Sequence, residues 1–219
     1  MIANLGNFTT VRTGLVVARK KAKLDSLESI SYKQIGLRCF TSSIMLDKTQ
    51  TDDFASAEVI NDKYLTQEGD VLVRLRSPST AVYIDKEDEG LLITSLLAVI
   101  RVSDAGLDAK YLAYYINSHF SKRLLQREIK GTAIPMLKTK DLEKLQITLS
   151  SLEEQKKAVR FLDLAEREQK LLLALAKEKE QLSQAVLDTI IQRNISRGGG
   201  ALAPHYMGLK SHPLTKDKQ

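Results

Sequence analysis

A single cysteine, Cys39, stands in a chain of 219 residues. One thiol excludes an internal disulfide and a metal site built only from cysteine. Tryptophan is absent and aromatic residues are 5% of the total. The charged, leucine- and alanine-rich composition fits a chain with a long helix. No apolar run reaches the length of a membrane span; the most apolar stretch, Leu91-Leu-Ile-Thr-Ser-Leu-Leu-Ala-Val-Ile100, is about ten residues and suits buried strands. The first residues lack the apolar centre of a signal peptide, so a cytoplasmic protein is expected.

Motifs of catalysis are missing too. An amino-methylating enzyme needs a Gly-rich cofactor loop and an Asn/Asp-Pro-Pro-aromatic step, and neither occurs; a P-loop is also absent. Glu128-Ile-Lys130 has the Glu-x-Lys spacing of some nuclease centres. Its upstream acid would have to be Asp104 or Asp108, and no proline precedes either. His119 reads as a surface position at a helix start, and the spacing of His205 and His212 matches no common metal site. No catalytic residue, metal ligand or cofactor site is expected.

What the chain does carry is positive charge. Lysine and arginine number 33 against 27 aspartates and glutamates, a net charge of +6 with a pI near 9.3. Such an excess favours a polyanionic partner. The first 50 residues hold much of it, in Arg12, Arg19, Lys20, Lys21, Lys23, Lys33, Arg38 and Lys48. Arg19 to Lys23 places four cations within five positions. On a loop, that run can neutralise several phosphates and steepen the salt dependence of binding; as a solvated turn or arm it would do neither. Arg74 and Arg76 share one face of the strand that follows Gln67-Glu-Gly-Asp. They either point towards a groove, where Arg can bond guanine in bidentate fashion, or pair with the acidic run Asp85-Lys-Glu-Asp-Glu89.

Hydrophobic residues make up 43%, enough for a real core. Ile35-Gly-Leu-Arg-Cys-Phe-Thr and Ile44-Met-Leu read as strands, as do Val71–Leu75 and Ala81–Ile84, with Leu91–Val102 completing a sheet. Asp108 caps a helix through Asn117 whose tyrosines are expected in the core. Ser118 caps a second helix, Phe120–Ile129, with a basic face of Lys122, Arg123, Arg127 and the adjoining Lys130. Residues 130–155 then read as a Gly-Pro loop at Gly131 and Pro135, a short helix, and a strand at Ile147 and Leu149. Last comes a capping box at Ser150-x-x-Glu153 or Ser151-x-x-Glu154. Lys130, Lys138 and Lys140 flank the loop.

From Leu152 to about Asn194 neither Gly nor Pro interrupts a helical pattern of about 42 residues, roughly 63 Å at 1.5 Å per residue. Phe161, Ala165, Leu172, Leu175, Leu182 and Val186 recur at coiled-coil spacing, broken by Glu168 and Lys179. Apolar sides this extensive imply a partner helix: a second copy first, another subunit second. Residues 196–219, with three consecutive glycines at 198–200, read as a flexible tail.

Four motifs taken together point to a family. Gln67-Glu-Gly-Asp-Val-Leu-Val, Lys110-Tyr-Leu-Ala-Tyr-Tyr-Ile-Asn-Ser, Gly131-Thr-Ala-Ile-Pro and Leu142-x-x-Leu-x-Ile-x-Leu-x-x-Leu-Glu-Glu-Gln come in that order. Their succession, over about residues 10–194, resembles the specificity subunits of type I restriction–modification systems. Such subunits usually carry two target-recognition domains and two helical spacers, whereas this chain has room for one of each. Ser150-Ser151 stands where a Pro-rich step is common, and Ser77-Pro-Ser-Thr80 where more glycine is.

The resemblance implies an α/β target-recognition domain at 1–150, a spacer and dimerisation helix at 151–195, and the tail. It also implies a non-catalytic subunit that reads double-stranded DNA and positions an adenine methyltransferase subunit, with a restriction subunit as a further partner. The expected DNA contacts are Arg12, Arg19, Lys20, Lys21, Lys23, Arg74, Arg76, Lys130, Thr132 and Lys138. A coiled-coil adaptor whose basic domain binds RNA or an acidic protein is the alternative.

Overall fold

The computed structural model describes residues 2–22, 29–128 and 136–198. The chain divides into two compact units, Met1–Glu166 and Arg167–Gln219. The first unit is a mixed domain of sheets and helices that includes the opening turns of a long helix. Its strands are β1 (Ile2–Asn4), β2 (Thr9–Thr13), β3 (Ile30–Ile35), β4 (Asp52–Ser56), β5 (Val71–Arg74), β6 (Ala81–Tyr83), β7 (Leu92–Ile93) and β8 (Leu97–Val102). Helices α1 (Ala109–Asn117), α2 (His119–Glu128) and α3 (Thr139–Glu143) follow, then β9 (Gln146–Thr148) and α4 (Leu152–Gly198).

The central layer is a four-stranded antiparallel sheet in the order β2-β8-β5-β6. Side chains alternate between its faces. One row runs Arg12, Val99, Leu72, Val82, and the next runs Val11, Ile100, Val71, Tyr83. The first face packs on Ile35, Phe40 and Ile93, at and beside the smaller sheet β4-β3-β7. The second packs on Leu112 and Ile116 of α1 and Leu125 of α2. Because β5 is covered on both faces, Val71-Leu72-Val73 is continuously apolar rather than alternating. Each such side chain contributes about 1.5–3 kcal/mol through burial.

Two glycines are dictated by their surroundings. A Cβ on Gly14 would lie 2.3 Å from the Thr94 carbonyl oxygen. That closeness lets Leu15 donate to Ile93 (2.7 Å) and accept from Ser95 (2.8 Å), tying the exit of β2 to β7. Gly69 has φ +84° in the turn where the Asp70 amide donates to Gln67. A turn with φ > 0 at its third residue favours glycine there.

Several expectations are corrected. The expected strand at 35–41 is displaced towards the N-terminus, to β3. Beyond it Leu37–Cys39 forms a 3-10 turn in which the Cys39 amide donates to Gly36, and the Cys39 carbonyl accepts from Asp47. With those backbone groups satisfied locally, the segment needs no sheet partner. Residues 44–46 contribute one isolated bridge, Met45 to Tyr83. The strands divide among three sheets rather than completing one, and β9 is paired by β1, which the sequence reading left unassigned. Of the two capping boxes only Ser151–Glu154 forms: the Ser151 amide donates to Glu154 Oε2 (3.0 Å), and the Glu154 amide donates to Ser151 Oγ (3.3 Å). α4 continues past Asn194 to Gly198, since no residue before that first glycine breaks it.

In the second unit the described part of α4 exposes its apolar side chains, Leu172 at 59% and Leu182 at 65% among them. Ser183, Thr189 and Ser196 donate to the carbonyls four residues before them. Among the described residues, no helix is long and apolar enough to cross a membrane.

Candidate nucleic-acid interface

Residues of three of the four motifs hold the frame; the remaining motif, at 131–135, lies outside the described residues. Asp70 is buried, and its carboxylate accepts two bonds from Arg101, Nε to Oδ1 at 2.7 Å and Nη2 to Oδ2 at 3.0 Å. Arg101 Nη2 also donates to the Leu65 carbonyl, and the Gln67 amide donates to Asp70 (3.0 Å). At the end of α1, the Asn117 side chain donates to the Ala81 carbonyl (2.7 Å) and accepts from the Ala81 amide (2.9 Å), fixing the outer edge of β6.

Gln155, fully buried, accepts from the Asp108 amide and donates to the Gly106 and Ser150 carbonyls. Those bonds join the first turn of α4 to the start of α1. Lys110 pairs with Asp163 (2.7 Å), and Tyr114 donates to the same carboxylate (2.8 Å). Burial and that carboxylate hold the Tyr114 hydroxyl well above its ordinary pKa. Tyr111 and Tyr115 are half-buried against the core, as expected.

The expected contact residues fall into separate groups. Arg76 lies beside the 136–138 segment: Arg76 bridges Met136, and the Leu137 amide donates to the Leu75 carbonyl (2.8 Å). Lys138 then caps α3 with half a capping box, its backbone amide donating to Asp141 Oδ2 (2.8 Å), since an ammonium group cannot accept. Arg74, whose amide closes the β5–β6 hairpin on the Thr80 carbonyl (2.9 Å), has a half-buried side chain with a shielded Nε that lacks a partner. The alternative pairing of these arginines with the acidic run is not what forms: Lys48 takes Asp88 (3.1 Å) and Glu87 (3.5 Å). The Asp88 contact also raises the Lys48 pKa.

Arg19, Lys20 and Lys21 sit elsewhere, laced to β4 through Lys21 opposite Ser56 and the Ala57 amide on the Lys20 carbonyl. Lys20 is paired with Glu58. An exposed pair of this kind contributes about 0–1 kcal/mol and yields readily to a phosphate. Arg12, in β2, has a shielded Nε without a partner. Among the described residues, no hydrogen bond or ion pair joins the Arg19 group to the Arg76 group. Lys23, Lys130 and Thr132, with Gly131 and Pro135, lie outside the described residues, as do His205 and His212.

Pairing separates the cations. Lys20, Lys33, Arg38, Lys48, Arg101 and Lys110 have carboxylates. Among the described residues no ion pair engages Arg76, Lys122, Arg123, Arg127 or Lys138, which belong to the hairpin, α2 and the approach to α3. Between 118 and 145 the chain has seven lysines and arginines against three acids. The α2 cations are visible in the sequence; their neighbour in the fold, the Ser77–Thr80 turn of the hairpin, is not. A small cleft of about 40 Å³ is lined by Ser77, Pro78, Ser79, Lys122, Leu125 and Gln126. Beside it the Ser79 and Thr80 hydroxyl oxygens are shielded from solvent without a hydrogen-bond partner. Each such hydroxyl costs about 1–3 kcal/mol. Two adjacent hydroxyls in Ser-Pro-Ser-Thr, next to a strand ending in arginine, were the available signal. Among the described residues, no group of three or more His, Cys, Asp or Glu side chains is placed to hold a metal ion.

The family model described as type I restriction modification DNA specificity domain matches residues 45–183, more than half of the chain. No curated protein sequence matches. Among solved structures, the HsdS subunit from Thermoanaerobacter tengcongensis is similar at a TM-score of 0.62 and 16% identity, over 93% of this chain and 51% of that one. A chain from a structure concerned with complex assembly and conformational transition of the type I R-M system is similar at 0.59 and 22%, over 86% of this chain and 44% of its own. The chain thus spans about half the length of the solved chains it resembles. At these identities the structural likeness establishes the fold, a mixed domain followed by a long helix.

Proposed function

Since the chain belongs to the family of type I restriction modification DNA specificity domains, we propose that it is a non-catalytic subunit that reads duplex DNA for a partner methyltransferase. The observation that carries this reading is the set of cations on the hairpin, α2 and the approach to α3 that no ion pair engages among the described residues, beside a frame in which Lys48, Arg101 and Lys110 do have carboxylates. Lysines and arginines there contact phosphates, which fixes register without reading sequence. Side chains near Arg76 and Lys138 then meet base edges in the major groove. The partner flips and methylates an adenine; this chain places it.

In this reading residues 1–150 are the target-recognition domain, 151–195 the spacer and 196–219 the tail, in a cytoplasmic complex. Two copies pair through Phe161, Ala165, Leu172, Leu175, Leu182 and Val186, all exposed in the single chain. The pair reads a two-part site whose halves the helices hold apart. A restriction subunit joins the same assembly.

Duplex binding measured against salt, with and without the methyltransferase subunit, tests the proposal. The expected result is binding that falls linearly in log–log form with salt and sharpens to one sequence when the partner is present. Sequencing the methylated adenines of a host carrying both proteins should reveal a bipartite motif. Binding to RNA or an acidic protein in place of duplex DNA would make the chain an adaptor instead.

A further inference from the structure

We propose that the β5–β6 hairpin and α2 form a preformed seat for one phosphodiester of duplex DNA, with Lys122 as its cation and the Ser79 hydroxyl as its donor. The proposal rests on the reading of the chain as a duplex-DNA subunit and assigns it a contact outside both the Arg19 run and the 129–135 loop.

The lining is complementary to an anion. It comprises Ser77, Pro78, Ser79, Lys122, Leu125 and Gln126, with no carboxylate. Lys122 has no ion pair among the described residues, and the adjacent Arg76, exposed, has none either. Ser79 Oγ and Thr80 Oγ1 are shielded and lack partners. A hydroxyl can turn its proton towards an incoming oxygen, and an ammonium group can only donate, so Ser79 and Lys122 of the lining both suit an acceptor. The cleft of about 40 Å³ is large enough to admit a water or a phosphate oxygen. A water would satisfy the Ser79 hydroxyl and bring no charge to Lys122. A phosphate oxygen answers both.

The walls are fixed before any ligand arrives. The hairpin closes through the Arg74 amide on the Thr80 carbonyl, and Asn117 grips both polar groups of Ala81, the next residue. The same corner starts α2, where the Ser121 amide donates to Ser118 Oγ (3.2 Å). Hairpin and helix therefore share one anchor, and binding needs to order little beyond the Lys122 side chain.

The test uses the full chain and a mixed-sequence duplex of about 30 base pairs, with affinity followed by anisotropy across salt. Lys122→Gln is expected to weaken binding to all duplexes alike and to lower the log–log salt slope by about one. The affinity lost between about 50 and 200 mM salt then shrinks roughly fourfold. Ser79→Ala should weaken binding while leaving the thermal midpoint unchanged or raised, because it deletes a hydroxyl that has no partner. Lys63→Gln, the same charge change at a lysine over the Tyr64 ring, should leave the slope alone.

Equal slopes for Lys122→Gln and Lys63→Gln, or full affinity in Ser79→Ala, overturn the seat while duplex binding by the wild type keeps the parent reading. A wild type indifferent to duplexes at low salt overturns both. Inorganic phosphate that competes at fixed ionic strength, and loses that effect in Lys122→Gln, would make the ligand free phosphate rather than DNA.

Discussion

Leu112 and Leu172 are the same residue on helices of similar apolar spacing, yet the first is fully buried and the second 59% exposed. α1 lays Leu112 and Ile116 on the four-stranded sheet, and its ends are tied by Asp108, Asn117 and Gln155. α4 beyond Glu166 repeats leucines every three, four or seven residues and leaves them uncovered in the single chain. Apolar periodicity fixes which face of a helix seeks cover; it does not say whether the cover lies in the same chain. In the first unit the cover comes with hydrogen-bonded anchors. In the second, no cover lies over these leucines among the described residues of the single chain.

The largest break in this comparison is Asp70→Ala. It strands a largely buried guanidinium and frees the 67–70 turn, so the first unit should lose about 3–5 kcal/mol. Urea unfolding followed by the tyrosine signal measures it, and a loss below about 1 kcal/mol would mean the pair behaves as a surface bridge. Asn117→Ala comes next. It leaves both polar groups of Ala81 without their partner at an edge strand, for about 1–3 kcal/mol. Neither substitution should alter how α4 associates, because neither touches its exposed leucines.

The sequence made α1, α2, the capped start of α4 and the strands around Val71 and Leu97 legible, since each combines a strong period with a cap or turn residue. β3 was expected too far along the chain for the opposite reason: its Ile30-Ser31-Tyr32-Lys33 alternation is short and breaks at Gln34, and the strand is held by β4 and β7 on either side. The same limit applied to the site. Arg76 and Lys138 could be marked as cations, but that the Leu75 carbonyl takes the Leu137 amide is a contact across 62 positions that no local pattern encodes. Pairing was equally hidden. Lys20 and Lys122 look alike in the sequence, and only the fold gives one of them Glu58.

A smaller effect sharpens the boundary between the two regions. Ser151 and Glu154 close the N-terminus of α4, and Ser151→Ala should cost about 1 kcal/mol. The Ser151 amide, then its hydroxyl, hold the Glu154 carboxyl below its usual range. A depressed folded pKa means the contribution is present above the unfolded value and is lost as the pH falls through the folded one. Stability of wild type minus Glu154→Gln should therefore narrow on acidification below the ordinary glutamate range. A difference that stays constant with pH would remove the carboxylate from the cap.

Leu172→Asp is expected to have the least effect on unfolding of the first unit, within about 0.5 kcal/mol, and yet to change the molecule's mass. An exposed leucine in a helix that nothing covers contributes little to its own chain, so replacing it costs little there. If a second copy covers α4, a carboxylate placed in that seam is desolvated without a partner, and light scattering should record a monomer where the wild type is a dimer. Unchanged mass with unchanged stability would show that Leu172 faces water in both and would remove the pairing of two copies through this helix. Asp70→Ala and Leu172→Asp thus exchange signatures: one chain loses its fold and the other its company, which is the difference between anchored and unanchored apolar surface expressed in two measurements.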